Sequence, residues 1–247
     1  MRRRFHQLVL VTLLLAMAGA GMQLWLLHTG VDEKGLFVLP HPAVFVGLGI
    51  AIAAAAWIIW QTRPILPMRN YEKAFPASRI AAIGTVVYSF GLLVCSLSLW
   101  AESSAFLFRL CSITGIAAAA ALVYTALQRL KHPQYSSLTM MLVTVHWLIR
   151  LVCRYQQWMI QPQIQWYFYP LLLHVCVMIA SLYRAFPEKQ SPHFRRYIRF
   201  CLASLVLSCM ALPGSRDGFL CLCLAVYLLA ELYALRFPKR KRREPPV

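Results

Sequence analysis

Acidic residues are scarce in this chain, and so are charged residues in general. Only 8 of the 247 residues are Asp or Glu, and charged residues make up 13% of the sequence. Soluble domains carry roughly 25% charged residues, about twice this share. The composition therefore excludes an ordinary soluble globular protein.

Motifs of enzyme chemistry are also missing. The sequence contains no G-x-S-x-G elbow, no H-E-x-x-H zinc motif and no glycine-rich loop of the kind that holds phosphates. We therefore predict no catalytic residue, no metal site and no cofactor. Intramembrane enzymes can lack such motifs, so a lipid-modifying membrane enzyme stays open as an alternative.

Long apolar runs are abundant, and hydrophobic residues make up 60% of the chain. Runs of roughly 17–25 apolar residues match a bilayer core about 30 Å thick. Continuous runs without alternation indicate helices and exclude a β-barrel. We predict an all-α integral membrane bundle, a single membrane domain over residues 1–247 with no soluble domain. The eight predicted transmembrane spans are 8–27, 43–60, 80–100, 105–127, 137–153, 166–183, 197–212 and 218–235.

The first span has a second interpretation. Ala16-Met17-Ala18, followed by Gly19-Ala20, resembles a signal-peptidase site. The apolar run continues to Leu27, however, and a signal-peptide core spans only roughly 7–15 residues. We therefore favour an uncleaved first span, with a cleaved signal peptide as the alternative.

The distribution of basic residues predicts how the chain is oriented. Eight spans place both termini on the same side of the membrane. If that side is the cytoplasm, it holds twenty of the 25 Lys and Arg residues, including those of the tail 236–247. This bias is typical of cytoplasmic loops, so we predict a cell-membrane protein with both termini and the basic tail in the cytoplasm. No nucleic-acid-binding module accompanies the positive charge, and we expect no nucleic-acid partner.

All eight cysteines fall inside or at the end of an apolar run, and none forms a C-x-x-C pair. Cysteine in apolar surroundings behaves as a small hydrophobic residue, so we assign these side chains to packing and not to metal binding. The cysteines are Cys95, Cys111, Cys153, Cys176, Cys201, Cys209, Cys221 and Cys223.

Three arginines depart from the charge bias and lie toward the outer side. Arg150 and Arg154 are four residues apart and therefore share a helix face, and Arg109 lies at a similar depth in the fourth span. Guanidinium groups bind carboxylates and phosphates bidentately. We predict an anion site at these residues, occupied by a small anion or an anionic lipid. The alternative is ion pairing with Glu102 and Asp217, or contact with lipid headgroups.

Four further polar residues suggest a layer inside the membrane. His146 and His174 fall near mid-membrane, and Glu231, with Tyr227 one turn away, is the acid inside the eighth span. Buried ionisable groups of this kind relay protons or bind cations. The alternative is that each histidine bonds a neighbouring polar group and that Glu231 pairs with a basic residue.

These features favour a small permease, or the membrane subunit of one, that handles an anionic or amphipathic solute. One alternative is the lipid-modifying enzyme. Another is a non-catalytic partner or sensory subunit of a membrane complex. In that case, the small-residue faces of the second and fourth spans would contact another membrane protein, since such faces allow close helix packing in lipid.

Overall fold

The computed structural model describes residues 2–30, 41–64, 74–102, 105–131, 137–160, 168–186, 193–213, 215 and 217–235. Within these ranges the regular structure is helical and contains no β-strand. Arg216 and the predicted basic tail 236–247 lie outside the described residues.

Within the described residues, eight α-helices correspond to the eight predicted spans, and the prediction of an all-α membrane bundle is confirmed. Six of them, α1 to α6, are long and apolar enough to cross a membrane. The helices are α1 (Arg2–Thr29), α2 (Pro42–Thr62), α3 (Arg79–Glu102), α4 (Phe106–Lys131), α5 (Ser137–Ile160), α6 (Phe168–Ala185), α7 (His193–Ala211) and α8 (Gly218–Ala234).

Helix α7 is more polar than the first six helices, and helix α8 is shorter than they are. Helix α7 carries Arg195, Arg196 and Arg199 in its first two turns, which limits its apolar part. Helix α8 has 17 residues, which is about 26 Å at 1.5 Å per residue, close to the thickness of a bilayer core.

Helix α5 continues beyond the end of its predicted span. The apolar run ends at Cys153, whereas the helix extends to Ile160. Arg154 is satisfied on the helix, because its Nη1 donates to Gln157 Oε1 at 2.7 Å, one turn further on. Hydropathy therefore marks where the apolar surface ends, and the helix continues past that point with Arg154 hydrogen-bonded to Gln157.

Six of the helices form a closed ring. Each of α3 to α8 packs against the next one in the chain, and α8 packs against α3 to complete the circle. Helices α1 and α2 pack against each other and against α7, on the outside of this ring. The centre of the bundle is thus enclosed by six helices.

Contacts between helices define an antiparallel arrangement. In the α3–α4 pair, Ser89 Oγ donates to the Ala119 carbonyl at 2.8 Å. In the α4–α5 pair, Thr125 Oγ1 donates to Thr139 Oγ1 at 3.0 Å. The rings of His6 and Tyr233 lie 5.5 Å apart, so the start of α1 and the end of α8 share one end of the bundle. We call this the terminal end, and the other the opposite end.

Glycines permit the closest helix contacts within the ring. A Cβ atom at Gly84 would lie 2.5 Å from Ala230 Cβ, and one at Gly91 would lie 2.7 Å from Cys223 Cβ. The two glycines are two turns apart, so one face of α3 lies directly against α8. On α4, a Cβ at Gly115 would lie 2.0 Å from Ser96 Oγ, which shows how tightly α3 and α4 meet.

We expect Gly115→Ala to destabilise the protein by about 1–3 kcal/mol, because the added methyl group overpacks a filled contact. The methyl would also lie 2.9 Å from His146 Cε1. Ser96→Ala, which removes the nearest atom, should restore part of the loss in a double variant. Thermal unfolding in detergent measures both effects. Gly21→Ala is the matched control, since nothing lies within 4 Å of that position, and an equal loss there would contradict the prediction.

Candidate functional site

Two arginines of α5 converge on one carboxylate at the opposite end of the bundle. Arg154 contacts Asp217 with two nitrogens, Nη2 to Oδ1 at 2.6 Å and Nε to Oδ2 at 3.1 Å. Arg150 Nη2 lies 2.9 Å from the same Oδ1 atom. Asp217 stands immediately before the first residue of α8. We call Arg150, Arg154 and Asp217 the Asp217 cluster.

The Asp217 cluster carries a surplus positive charge. Burial by itself would raise the pKa of Asp217, but the nearby Arg150 and Arg154 outweigh it and hold the pKa below its ordinary value. The two arginines therefore favour the ionised form of the carboxylate. Among the residues that the structure describes here, two guanidinium groups face one carboxylate, an excess of one positive charge.

Arg150 has hydrogen-bonding capacity that is not used. Its side chain is fully buried, at 0% exposure, and its Nε and Nη1 atoms have no hydrogen-bond partner among the described residues. One turn earlier, His146 is equally buried and its Nε2 atom also lacks a partner there. Buried polar groups are normally hydrogen-bonded because an unmade bond costs free energy. The site therefore has the chemistry to bind an acceptor, and an anion best of all.

The structure does not bring the third predicted arginine into this cluster. Arg109 is exposed on α4, and its guanidinium lies over the Trp100 ring at 5.8 Å from the ring centre. Glu102 is exposed as well. Ion pairs with Glu102 and Asp217 were the alternative to an anion site. The structure contains the pair with Asp217, which binds Arg150 and Arg154.

The four residues of the predicted polar layer fall into two groups. His146 and His174 both lie near Trp147, with ring centres 6.2 Å and 4.9 Å from the Trp147 ring. His146 Nδ1 pairs with Thr114 Oγ1 at 3.3 Å. Tyr227 and Glu231 belong instead to a second charged site, nearer the terminal end. The sequence analysis treated the four residues as one layer and did not predict this division.

That second site again combines one carboxylate with two arginines. Glu231, on α8, forms a bidentate ion pair with Arg129 near the end of α4, with Nη2 3.0 Å from Oε2. Arg184, near the end of α6, places Nη1 2.9 Å from Glu231 Oε1. The same nitrogen donates to the Tyr227 hydroxyl. All of these side chains are buried. We call these four residues the Glu231 cluster.

An aromatic ring supports the two arginines of this cluster. The guanidinium of Arg184 lies 5.1 Å from the centre of the Phe75 ring, and that of Arg129 lies 6.0 Å from it. Cations are attracted to the face of an aromatic ring at such distances. Sequence reasoning missed both arginines because each stands at the end of a span and was counted with the basic loops. A signal was present, since Glu231 needs a cationic partner within reach.

Three aromatic side chains from α3, α5 and α8 are in contact inside the ring of helices, and the last of them belongs to the Glu231 cluster. Trp147 Nε1 donates to the Tyr88 hydroxyl at 2.6 Å, and Tyr88 stacks on Tyr227 with ring centres 4.9 Å apart. Trp147 and Tyr88 are each 1% exposed. We call Trp147, Tyr88 and Tyr227 the aromatic column. It runs from the neighbours of Arg150 to the Glu231 cluster.

A small cavity adjoins the aromatic column. Its volume is about 20 Å³, and side chains from all six ring helices line it, among them Tyr88, Arg184, Cys201 and Tyr227. A cavity of this size holds about one water molecule. The cavity therefore leaves room beside the aromatic column for about one water molecule.

The molecule thus belongs to the class of helical membrane bundles and carries a buried charge cluster at each end of a six-helix ring. No group of His, Cys, Asp and Glu side chains within the described ranges is arranged to hold a metal ion. The chain matches no protein-family model, no curated protein and no solved structure. Its function must therefore be inferred from its own two clusters.

Proposed function

We propose that this protein is a small permease for an anionic solute, and that Arg150 and Arg154 receive the anion. In this proposal the termini are cytoplasmic and the Asp217 cluster faces the outside. The proposal rests on the environment of Arg150. Its side chain is fully buried and charged, and two of its nitrogens have no hydrogen-bond partner among the described residues.

Asp217 would then compete with the guest for the two arginines. In the closed conformation its carboxylate binds both arginines. A carboxylate or phosphate group of the solute offers the same planar pair of oxygens to a guanidinium fork. The guest would first bind Nε and Nη1 of Arg150, which lack partners in the part of the chain that the structure describes, and would displace Asp217 as it enters. The surplus charge of the cluster favours entry of the anion, because the two arginines, Asp217 and a monovalent anion together are neutral before Asp217 leaves.

The same group could arrive on a free solute or on a lipid headgroup. Arg150 is buried to 0% exposure, and Arg154 to 6%. A lipid headgroup would have to enter the closed ring of helices to reach Arg150, while its tails stay in the bilayer. The burial of Arg150 therefore favours a small free anion over a lipid.

Uptake by proteoliposomes made from neutral lipid tests this function. We expect uptake of radiolabelled pyruvate or inorganic phosphate, and we expect Arg150→Gln to reduce it by about a hundredfold, since each lost charge-assisted contact is worth roughly 1.5–3 kcal/mol. Arg109→Gln is the matched control: it removes the same charge from an exposed site on α4 and should leave uptake unchanged.

Native mass spectrometry of the purified protein shows whether the anionic group belongs to a free solute or to a lipid headgroup. A lipid-sized adduct that Arg150→Gln removes, without uptake of either solute, would assign the site to a lipid headgroup and overturn the permease. Equal loss of uptake in Arg150→Gln and Arg109→Gln would show that the effect is one of total charge and would also contradict the proposal.

A further inference from the structure

We propose that Cys111 and Cys153 form a reversible disulfide that a peroxide closes, and that this bond joins α4 to α5 beside the Asp217 cluster. The proposal does not depend on the permease function. It rests on the positions of the two cysteines across the helix pair, on the interaction between their thiols and on the charged groups next to them. The sequence assigned both residues to packing, since they stand far apart in the chain.

Residues that face each other across α4 and α5 follow one antiparallel register. Nearer the terminal end, Thr125 on α4 donates a hydrogen bond to Thr139 on α5 at 3.0 Å. Cys111 lies 14 residues before Thr125, and Cys153 lies 14 residues after Thr139. This spacing is about four turns of an α-helix, so each cysteine lies on the same face as the threonine of its own helix. The register that joins the two threonines therefore also places Cys111 opposite Cys153.

The two cysteines meet in a small apolar cluster. Cys111 is 0% exposed and Cys153 is 1% exposed, and both belong to a cluster with Leu99 that is separate from the main core. Their thiols are close enough to interact with each other, and both are free thiols in this structure. A disulfide requires two cysteines whose side chains point toward each other. This pair meets that requirement.

The surroundings of the pair favour its reaction with a peroxide. Arg150 and Arg154 act electrostatically on both thiols, and a nearby cation favours the thiolate, which is the form that attacks a peroxide. Cys111 is five residues from the start of α4. The pair therefore lies about 8 Å from that end of the helix, a short path for a molecule little larger than water.

The reaction has two steps. One cysteine loses its proton, and its sulfur attacks an oxygen of hydrogen peroxide and breaks the O–O bond. The sulfur becomes a sulfenic acid, and the released hydroxide takes up the proton to give water. The second thiol then attacks this sulfur, the S–S bond forms, and the sulfenic hydroxyl leaves as water with the second proton. The two thiols lose two electrons, and the peroxide is reduced to two water molecules. A dithiol reductant reverses the reaction by thiol–disulfide exchange.

The bond restrains the part of α5 that carries the arginines of the Asp217 cluster. Cys153 lies about one turn after Arg150 and immediately before Arg154. A disulfide to Cys111 therefore holds this part of α5 covalently against α4. Oxidation thus limits movement of both arginines relative to α4, whereas in the reduced protein the two helices are joined there by packing alone.

Wild-type protein in detergent tests this proposal directly. The protein is treated with hydrogen peroxide, the remaining thiols are blocked with N-ethylmaleimide under denaturing conditions, and linked peptides are identified by mass spectrometry without reduction. We expect the Cys111–Cys153 link to form at least about tenfold faster than a link between any other two cysteines, because its thiols already face each other. Dithiothreitol should remove the link.

Two sets of variants check the pairing. Cys153→Ser should abolish the link and leave Cys111 as a sulfenic acid, which dimedone labels. Cys176→Ser is the matched control, since it removes a half-buried thiol from α6 and should leave the link unchanged. Thr125→Cys/Thr139→Cys in the Cys153→Ser background tests the register, and this engineered pair should also form a disulfide.

Each result decides the inference. A sulfenic acid at Cys111 in the wild type without a disulfide would show that the two thiols do not meet and would overturn the proposal. Equal rates of linkage for several cysteine pairs would show unselective oxidation, with the same consequence. If the wild-type pair stayed unreacted while Cys176 was oxidised, the pair would be a packing contact. The wild-type measurement decides the matter even if Cys153→Ser does not fold.

Discussion

Glu231→Gln should destabilise the protein by about 3–5 kcal/mol, because removing one partner of a buried ion pair leaves uncompensated charge inside the protein. Here the loss affects two cations at once. Arg129 and Arg184 both contact the Glu231 carboxylate, and in the variant they would face each other across a neutral amide. Neither can escape to water, since the two side chains are buried.

Thermal unfolding and detergent-soluble yield measure this loss. Glu102→Gln is the matched control: it removes the same charge from an exposed position at the end of α3, and its effect should be within about 0.5 kcal/mol. The double variant Glu231→Gln/Arg129→Gln should recover part of the stability, because it removes one of the two cations that face the neutral amide. A double variant less stable than Glu231→Gln would contradict the charge argument and point to lost packing instead.

Hydropathy along the chain was sufficient to predict the helices. A bilayer core requires apolar runs of a certain length, and each run became one helix. The ends of the helices were less predictable, as α5 shows. Its apolar run stops at Cys153, yet the helix continues to Ile160, because Arg154 finds partners in Gln157 and Asp217.

The direction in which each side chain points around its helix axis explains which site residues could be predicted. Arg150 and Arg154 are four residues apart, so helix geometry alone placed them on one face, and the structure places both against Asp217. Arg109 was assigned to the same level by its depth in α4. Depth along a helix does not say which way a side chain points, and Arg109 lies on the exposed surface.

The partners of Glu231 and the closing of the ring depend on contacts between distant parts of the chain. Arg129 and Arg184 meet Glu231 only because α8 packs between α3 and α7. A single sequence carries little information about such pairings. Gly84 and Gly91 were inconspicuous within an apolar run, yet they allow the close contact of α3 with α8 that completes the ring.

Asp217→Asn should make stability strongly dependent on added anion. The substitution removes the carboxylate that occupies Arg150 and Arg154, so without a guest the variant should unfold at a lower temperature than the wild type. The vacated guanidinium groups then bind an external carboxylate without competition, and the cluster charge rises from about +1 to about +2. We expect pyruvate to bind the variant at least about tenfold more tightly, which corresponds to roughly 1.4 kcal/mol.

A ligand that binds only the folded state stabilises it in proportion to the logarithm of its concentration over Kd. Titration with pyruvate at constant ionic strength should therefore raise the unfolding temperature of Asp217→Asn more than that of the wild type. Adding Arg150→Gln to the variant should abolish the difference, whereas adding Arg109→Gln should preserve it. If pyruvate stabilised the variant and the wild type equally, Asp217 would not compete with the guest, and the Asp217 cluster would be a structural ion pair.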